Sequence, residues 1–324
     1  SAGEGARRSN GLPSARTLLL IGGLAEEHRE RVRAFAKALN APVYAEPLSG
    51  LREDASLPLL VSGERILHRG NFTRVIRIGN VPALRFWRDL EESRRDVDVV
   101  HYSALPFKGM TRGDLHPIDA LPSLDPQARD EALFARDAEM AAEFAAILDD
   151  EPHSELAMFR ALSRQLAEGT RVYLGNSLPI REWDLAASRE KCFVYDANRG
   201  ANGIDGQLST FFGQCDPTRE NVCVIGDLTA LYDSNAPWIV PQLDPAIRWC
   251  IVIVNNGGGR IFSRVPSLRA LDVDVRERII ENVHDLRFEH WAKMWSIEDR
   301  VTELRPDAEA SQRVWQRYDQ LWAV

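Results

Sequence analysis

Apolar residues in this chain fall into short unbroken runs separated by longer amphipathic stretches. The first run, 17–21, stops at Gly22-Gly23, and residues 25–39 then carry apolar positions at helical spacing. A run this short, bounded by a turn signal, predicts a strand buried on both faces, and the stretch after it predicts a helix. A second short strand is expected at 42–45, which makes a βαβ opening. Strand 75–78 ends at Gly79 and leads to a helix through Leu90, and 97–102 reads as a further strand. The Gly22-Gly23 turn lacks the rest of a G-x-G-x-x-G fingerprint, so a plain strand-to-helix turn is expected there.

The alternation then resumes. Residues 127–148 form a long Ala-rich helical stretch that reads as a connector, broken at 149–152. Ser154 is placed to cap a helix running to Leu166. Strands are expected at 172–174, 192–195, 222–225 and 249–254, with helices at 179–187 and 233–240 and a Gly-rich segment at 200–206. Strand 301–304 and an amphipathic helix over 309–321 close the chain. Segment 263–285 is charged and poor in strand signals; a mobile lid and an ordered surface excursion are both open. The expected fold class is α/β: two Rossmann-like domains with mainly parallel sheets flanked by helices. The expected division is a tail or linker at 1–16, a first domain at 17–125, a helical connector at 126–152 and a second domain at 153–324.

Composition narrows the function. The 324 residues suit about two domains of roughly 150 residues. A formal charge of −8 disfavours nucleic-acid binding. No apolar run approaches a membrane span and no signal-peptide pattern opens the chain, so a cytoplasmic location is expected. The four cysteines, Cys192, Cys215, Cys223 and Cys250, are scattered without a C-x-x-C, which argues against a zinc site or a disulfide framework.

The most informative chemistry lies at two strand ends. Asp227 follows the apolar run 222–225, and Asn255-Asn256 follows the run 251–254. Open α/β sheets place ligands at such C-terminal tips. A carboxylate and a carboxamide supply hard oxygen ligands; Mg²⁺ takes about six, several from a bound phosphate and water. A helix starting after Asp227 would turn free N–H groups towards a diphosphate. Gly257, Gly258 and Gly259 let backbone approach a ligand, and the Gly258 carbonyl could complete the metal shell. Ordinary strand-end loops also use Asp and Asn-Gly. The joint placement on two strand tips favours a metal-diphosphate site.

Four segments occur in order around these residues. The first is Gly175-Asn176-Ser177 with Arg181. The second runs from Asn198-Arg199-Gly200 to Gly203-Ile204-Asp205-Gly206. The third is Gly226-Asp227-Leu228-Thr229-Ala230-Leu231-Tyr232-Asp233-Ser234-Asn235, and the fourth Asn255-Asn256-Gly257-Gly258-Gly259-Arg260-Ile261-Phe262. Together they resemble the 2-succinyl-5-enolpyruvyl-6-hydroxy-3-cyclohexene-1-carboxylate (SEPHCHC) synthase, or MenD, family of thiamine-diphosphate enzymes. The family's segments read G-N-S-x-x-x-R, N-R-G-A-S-G-I-D-G, G-D-L-S-A-L-Y-D-x-N and N-N-N-G-G-x-I-F. Residues 282–284 and 288–290 echo a later block, and Arg77-Ile78-Gly79-Asn80-Val81-Pro82 resembles the family's central domain more loosely.

The resemblance implies decarboxylation of 2-oxoglutarate on thiamine diphosphate and addition to isochorismate, in menaquinone biosynthesis. It implies that Asp227, Asn256 and the Gly258 carbonyl hold Mg²⁺ or Mn²⁺. Asp205, Gly226, Leu228, Thr229 and Ile261 would contact the cofactor, with Ile204 beneath the thiazolium. Arg181 and Arg199 would bind substrate carboxylates beside Ser177, since Arg suits planar bidentate recognition. Ile261 and Phe262 would wall the isochorismate pocket. Ser177 is also placed to cap the next helix. His284 and His290 have no metal-pair spacing and read as structural, and Arg85 as a solvated helix position. The family carries an N-terminal pyrimidine-binding domain, with its glutamate, that this sequence is expected to lack. Family sites form at a dimer interface, so a partner domain and a homodimer or higher assembly are implied. Another thiamine-dependent 2-oxoacid decarboxylase or synthase, or a non-catalytic assembly module, is the alternative.

Overall fold

The computed structural model describes residues 16–200 and 202–323. The expected tail or linker over 1–16 thus lies, Arg16 aside, outside the described residues. Five parallel strands form the first sheet: β1 Thr17–Ile21, β2 Val43–Ala45, β3 Arg74–Ile78, β4 Asp98–Ser103 and β5 Asp114–Pro117, in the order β2-β1-β3-β4-β5. Helices α1 (Glu26–Leu39) and α2 (Arg85–Glu92) connect them. The unbroken apolar runs have the burial they predict. Leu19 and Ile21 pack with Val32, Phe35 and Ile76 on one face, while Leu18 and Leu20 pack with Val75, Phe86 and Trp87 on the other. Helix α1 stops at Asn40, whose left-handed backbone returns its N–H to the Ala36 carbonyl. Strand β5 escapes the apolar pattern because it is a polar, largely exposed edge.

The second sheet is also wholly parallel: β6 Arg171–Leu174, β7 Val194–Asp196, β8 Glu220–Gly226, β9 Arg248–Val254 and β10 Val301–Leu304, in the order β10-β9-β8-β6-β7. The chain leaves β6 towards β7 and returns on β6's other side as β8. That reversal opens a crevice between the tips of β6 and β8, the usual ligand position in such sheets. Between the two sheets run α3 (Glu131–Asp150) and α4 (Glu155–Gln165), and the second sheet carries α5 (Leu178–Ala186), α6 (Gln207–Gln214) and α7 (Asp227–Tyr232). Prolines 237 and 241 tighten the stretch expected as a helix over 233–240 into the 3₁₀ segment Ala236–Gln242. The closing helix, Ala308–Leu321, buries Val314 and Tyr318.

Helix α3 does more than connect. Its Leu133 lies in the core of the first sheet, and its Phe144, Ile147 and Leu148 lie in the core of the second. Asp137 on this helix accepts the N–H groups of Val61 and Ser62 and the Ser62 hydroxyl. A second tie is polar. Arg52 is fully buried, pairs with Glu53, and donates to the carbonyls of Trp183, Asp184 and Ala187 where α5 ends. The Trp183 carbonyl also accepts from Ala187 N–H; the carbonyls of Asp184 and Ala187 lie past the last helical donor, and the guanidinium supplies one. Tyr44 donates to Asp184 at 2.7 Å and Tyr195 to Glu53 at 2.7 Å across the same seam.

Segment 263–285 is built of short helical turns. Glu281, buried, accepts from Arg260 at 3.2 Å and pairs with Arg276 at 2.9 Å. Its carbonyl also accepts from Gly259 N–H.

Candidate active site

The tips of β6, β8 and β9 surround a cavity of about 350 Å³. Ser177, Arg181, Arg199, Ile204, Gly226, Asp227, Leu228, Thr229, Asn256, Gly258, Ile261 and Phe262 all line it. Asp205 does not; it is exposed.

Asp227 is the first residue of α7 and is buried. Its Oδ2 accepts from the N–H groups of Gly257 and Gly258, each at 2.8 Å, and its Oδ1 from Leu228 N–H. Thus the loop after β9 folds onto the carboxylate at the tip of β8. His284 Nε2 stands 3.4 Å from the same Oδ2. Burial raises the Asp227 carboxyl above its ordinary range, and the Gly258 and Leu228 N–H groups, His284 and Gly257 N–H pull it back. A cation beside it would favour the charged form further.

Asn256 turns the other way. Its Nδ2 donates to Glu155 Oε1 at 2.9 Å, and its Oδ1 is buried with no partner. A buried carbonyl oxygen without a donor is costly and calls for an explanation. Here the oxygen belongs to a residue lining a cavity beside a carboxylate, and a hard cation would satisfy it. The Gly258 carbonyl already accepts from Arg260 N–H at 2.9 Å and keeps a second lone pair. Among the described residues no three His, Cys, Asp or Glu side chains gather as a metal cage. The donor set is therefore carboxylate, carboxamide and carbonyl, which is magnesium-like chemistry.

The opposite wall is built by Asn176, buried after β6. Its Nδ2 donates to the carbonyls of Asn198 and Gly203, each at 2.8 Å, and its Oδ1 accepts from Arg199 at 2.8 Å. Gln207 accepts from Asn176 N–H and donates to the Gly203 carbonyl. One amide thus fixes the course of the Gly-rich loop and aims Arg199. Ser177 makes no capping hydrogen bond, so its expected second role is not realised. It sits instead at φ 73°, ψ −124°, a conformation rare for a side-chain-bearing residue. Arg181, one turn on, donates to the Ser177 carbonyl at 2.5 Å, and among the described residues neither Arg181 nor Arg199 has a carboxylate partner.

A second cavity of about 390 Å³ adjoins the first. Arg181, Leu178 and Ile261 border both. Glu46, at the tip of β2, faces this second space, and its carboxyl accepts from Ala83 N–H. Burial, with Asp184 adding to it, pushes Glu46 up to about 8. Arg85 is exposed and pairs with Asp89 and Glu92, yet it borders this second cavity.

Comparison with curated proteins is decisive. No family model matches the chain. The SEPHCHC synthase of Bdellovibrio bacteriovorus, however, is 38% identical over 335 aligned positions, covering 94% of this chain and 62% of the relative. That of Akkermansia muciniphila is 36% identical, covering 86% and 54%. That of Bacillus velezensis is 30% identical, covering 83% and 50%. The chain belongs to the SEPHCHC synthase family. It spans between half and about three-fifths of the length of these relatives.

Sequence reasoning gave no role to three groups around this cavity: Glu155, Asn176 and Gln207. Asn176 lay inside a quoted motif. The others carry no local signature, because Glu155 meets Asn256 across 101 positions. Of the two histidines read as structural, His284 stands beside Asp227, whereas His290 is exposed beside Glu289.

Proposed function

We propose that the protein carrying this chain is a thiamine-diphosphate-dependent transferase. It decarboxylates 2-oxoglutarate and transfers the remaining four-carbon unit to isochorismate, giving SEPHCHC. The observation that carries this reading is the pair of facing strand tips: a buried Asp227 carboxylate beside a buried, unpartnered Asn256 oxygen. When bound, thiamine diphosphate supplies an electron sink at the carbon that loses CO₂.

The chain's own residues bind, orient and shield. Asp227, Asn256 Oδ1 and the Gly258 carbonyl would hold Mg²⁺ or Mn²⁺ against the diphosphate. Gly226, Leu228 and Thr229 line the path of that diphosphate. Ile204 offers an apolar surface for the cofactor's rings, and Ile261 and Phe262 keep water from the reacting carbons. Among the described residues Arg181 and Arg199 donate to neutral oxygens and pair with no carboxylate, which suits both guanidinium groups to substrate carboxylates. Both substrates are dicarboxylates, so two such cations match them better than they match a monocarboxylic 2-oxoacid.

The pyrimidine-binding half of the site, with its glutamate, would come from a further domain of the parent protein or from another chain, within a dimer or larger assembly. The test is CO₂ release from 2-oxoglutarate with isochorismate, using the protein that carries this chain. Activity should need thiamine diphosphate and a divalent cation and should disappear with chelator. This chain alone should turn over little. Equal kcat/KM for pyruvate and 2-oxoglutarate would overturn the substrate assignment.

A further inference from the structure

A carboxamide is nearly symmetric in shape, and a half-turn exchanges its oxygen and nitrogen. A cation tolerates only the oxygen. Something must therefore decide which end of Asn256 faces the cavity. The neighbour that makes that decision is Glu155, the first residue of α4, buried beside Asn256 in the wall of the same cavity. Its Oε1 lies 2.9 Å from Asn256 Nδ2. A carboxyl oxygen in that position accepts and requires a donor, so the nitrogen is committed to Glu155 and Oδ1 is the end left without a partner.

Glu155 is itself held. Its backbone N–H donates to Ser311 Oγ at 2.9 Å, and Ser154 caps the same helix. Its carboxyl lies against that of Glu182 on α5, also buried. Glu182 receives Arg264 at 3.2 Å, and that guanidinium stacks 3.7 Å from the Trp315 ring centroid. Asn256, Glu155, Glu182 and Arg264 thus form one continuous polar chain from the cavity wall to the Phe262–Arg264 turn at its mouth.

We propose that Glu155 is a positioning residue for the cation, setting the orientation of the Asn256 carboxamide and so the affinity of the metal site. This rests on the cation-diphosphate reading above. Outer partners of metal ligands commonly account for about 10–100-fold in metal affinity.

The experiment measures Mn²⁺ affinity by electron paramagnetic resonance in the parent protein with thiamine diphosphate present, alongside apo thermal stability. Glu155→Leu should weaken Mn²⁺ binding at least roughly tenfold in the folded protein. Asn256→Asp sets two carboxyl groups face to face and should weaken it to a similar degree. The double variant N256D/E155Q restores a donor and an acceptor with their places exchanged, and should recover affinity to within about threefold of wild type. Wild-type Mn²⁺ affinity in a folded Glu155→Leu protein would overturn the proposal. So would a double variant no better than Asn256→Asp alone, a result that stands even if Glu155→Leu fails to fold. A wild type without cation-dependent cofactor binding removes the functional reading and this inference with it. A responding wild type with no rescue removes only this inference.

Discussion

The tip of β1 and the tip of β8 make an instructive pair. Both end a buried parallel strand, and both pass through glycine into a helical connection. At β1 the backbone consumes its own polar groups: Gly22 N–H donates to the Ile78 carbonyl, Asn80 N–H to Gly23, and Leu24 N–H to Leu48. A Cβ added to Gly22 would stand 2.2 Å from the Asn80 carbonyl oxygen. At β8 a Cβ on Gly226 would meet nothing within 4 Å, and the next residue is Asp227 beside an open cavity. The same architecture therefore yields a closed turn in one sheet and a site in the other. What separates them is whether neighbouring backbone fills the crevice, which agrees with function residing in a local site and not in the fold.

The largest expected effect strikes the open tip. Asp227→Ala removes the acceptor of three backbone N–H groups and should destabilise the protein by about 2–4 kcal/mol. It should also abolish the stabilisation that thiamine diphosphate with Mg²⁺ gives, which is about 2.7 kcal/mol at a hundredfold excess over Kd. Thermal melts with and without ligand read both quantities. A variant that still responds to ligand like wild type would erase the contrast between the two tips.

The first sheet sends Glu46 towards the second cavity, next to Tyr44, and its carboxyl should show in pH dependence. Glu46 is pushed from 4.5 up to about 8. Between those values the folded state holds a proton that the unfolded state has released. Stability is therefore fully present below about 4.5 and falls as pH rises towards 8. Moving from pH 5.5 to 7.5 should cost about 2–3 kcal/mol, and Glu46→Gln should flatten this slope. Chemical denaturation at both pH values measures it. A slope of the same size in Glu46→Gln would assign the effect elsewhere, for instance to Asp184.

The glycines test the comparison directly. Gly22→Ala forces a clash with backbone and should cost about 1–3 kcal/mol while leaving the ligand response intact. Gly226→Ala enters open space at φ −78°, so stability should stay within about 0.5 kcal/mol. Its added methyl faces the cavity and should weaken the ligand response. The two variants thus exchange symptoms. A Gly22→Ala protein with normal stability and lost ligand response would reverse the assignment of the two tips.

These contrasts also explain what was legible in the residues. Strands β1, β3, β4, β8 and β9 were foreseen to within two residues or so: β1, β8 and β9 read as unbroken apolar runs, and β3 and β4 as short apolar runs interrupted by Arg77 and by Asp98 and His101. Strand β5 was missed since Asp114, His116 and Pro117 make it a polar edge. The double role of α3 was hidden because an Ala-rich helix has a broad apolar stripe and does not say which sheet it meets. Around the cavity, residues within contiguous motifs, such as Asp227, Asn256 and Arg199, were visible as a group. Glu155 was invisible for a physical reason: a glutamate in a helix's first turn already has a sufficient local explanation in the helix dipole. Only the fold brings it to Asn256.

The smallest effect concerns the two histidines of the later motif, which look equivalent on paper. His290 has an 84% exposed side chain, and His290→Ala should change stability by less than about 0.5 kcal/mol with no effect on ligand response. His284 is mostly buried with Nε2 3.4 Å from Asp227 Oδ2, and Leu286 N–H donates to its Nδ1. Nε2, the atom nearest Asp227, makes no hydrogen bond among the described residues, so the ring acts on the carboxylate electrostatically. His284→Ala should therefore loosen the carboxylate and weaken the thiamine diphosphate–Mn²⁺ response about fivefold, or roughly 1 kcal/mol. His284→Gln can present an amide N–H towards the same carboxylate and should recover part of the loss. Equal responses from His284→Ala and His290→Ala in a Mn²⁺ titration would mean that the block acts through its surface and not through the tip of β8.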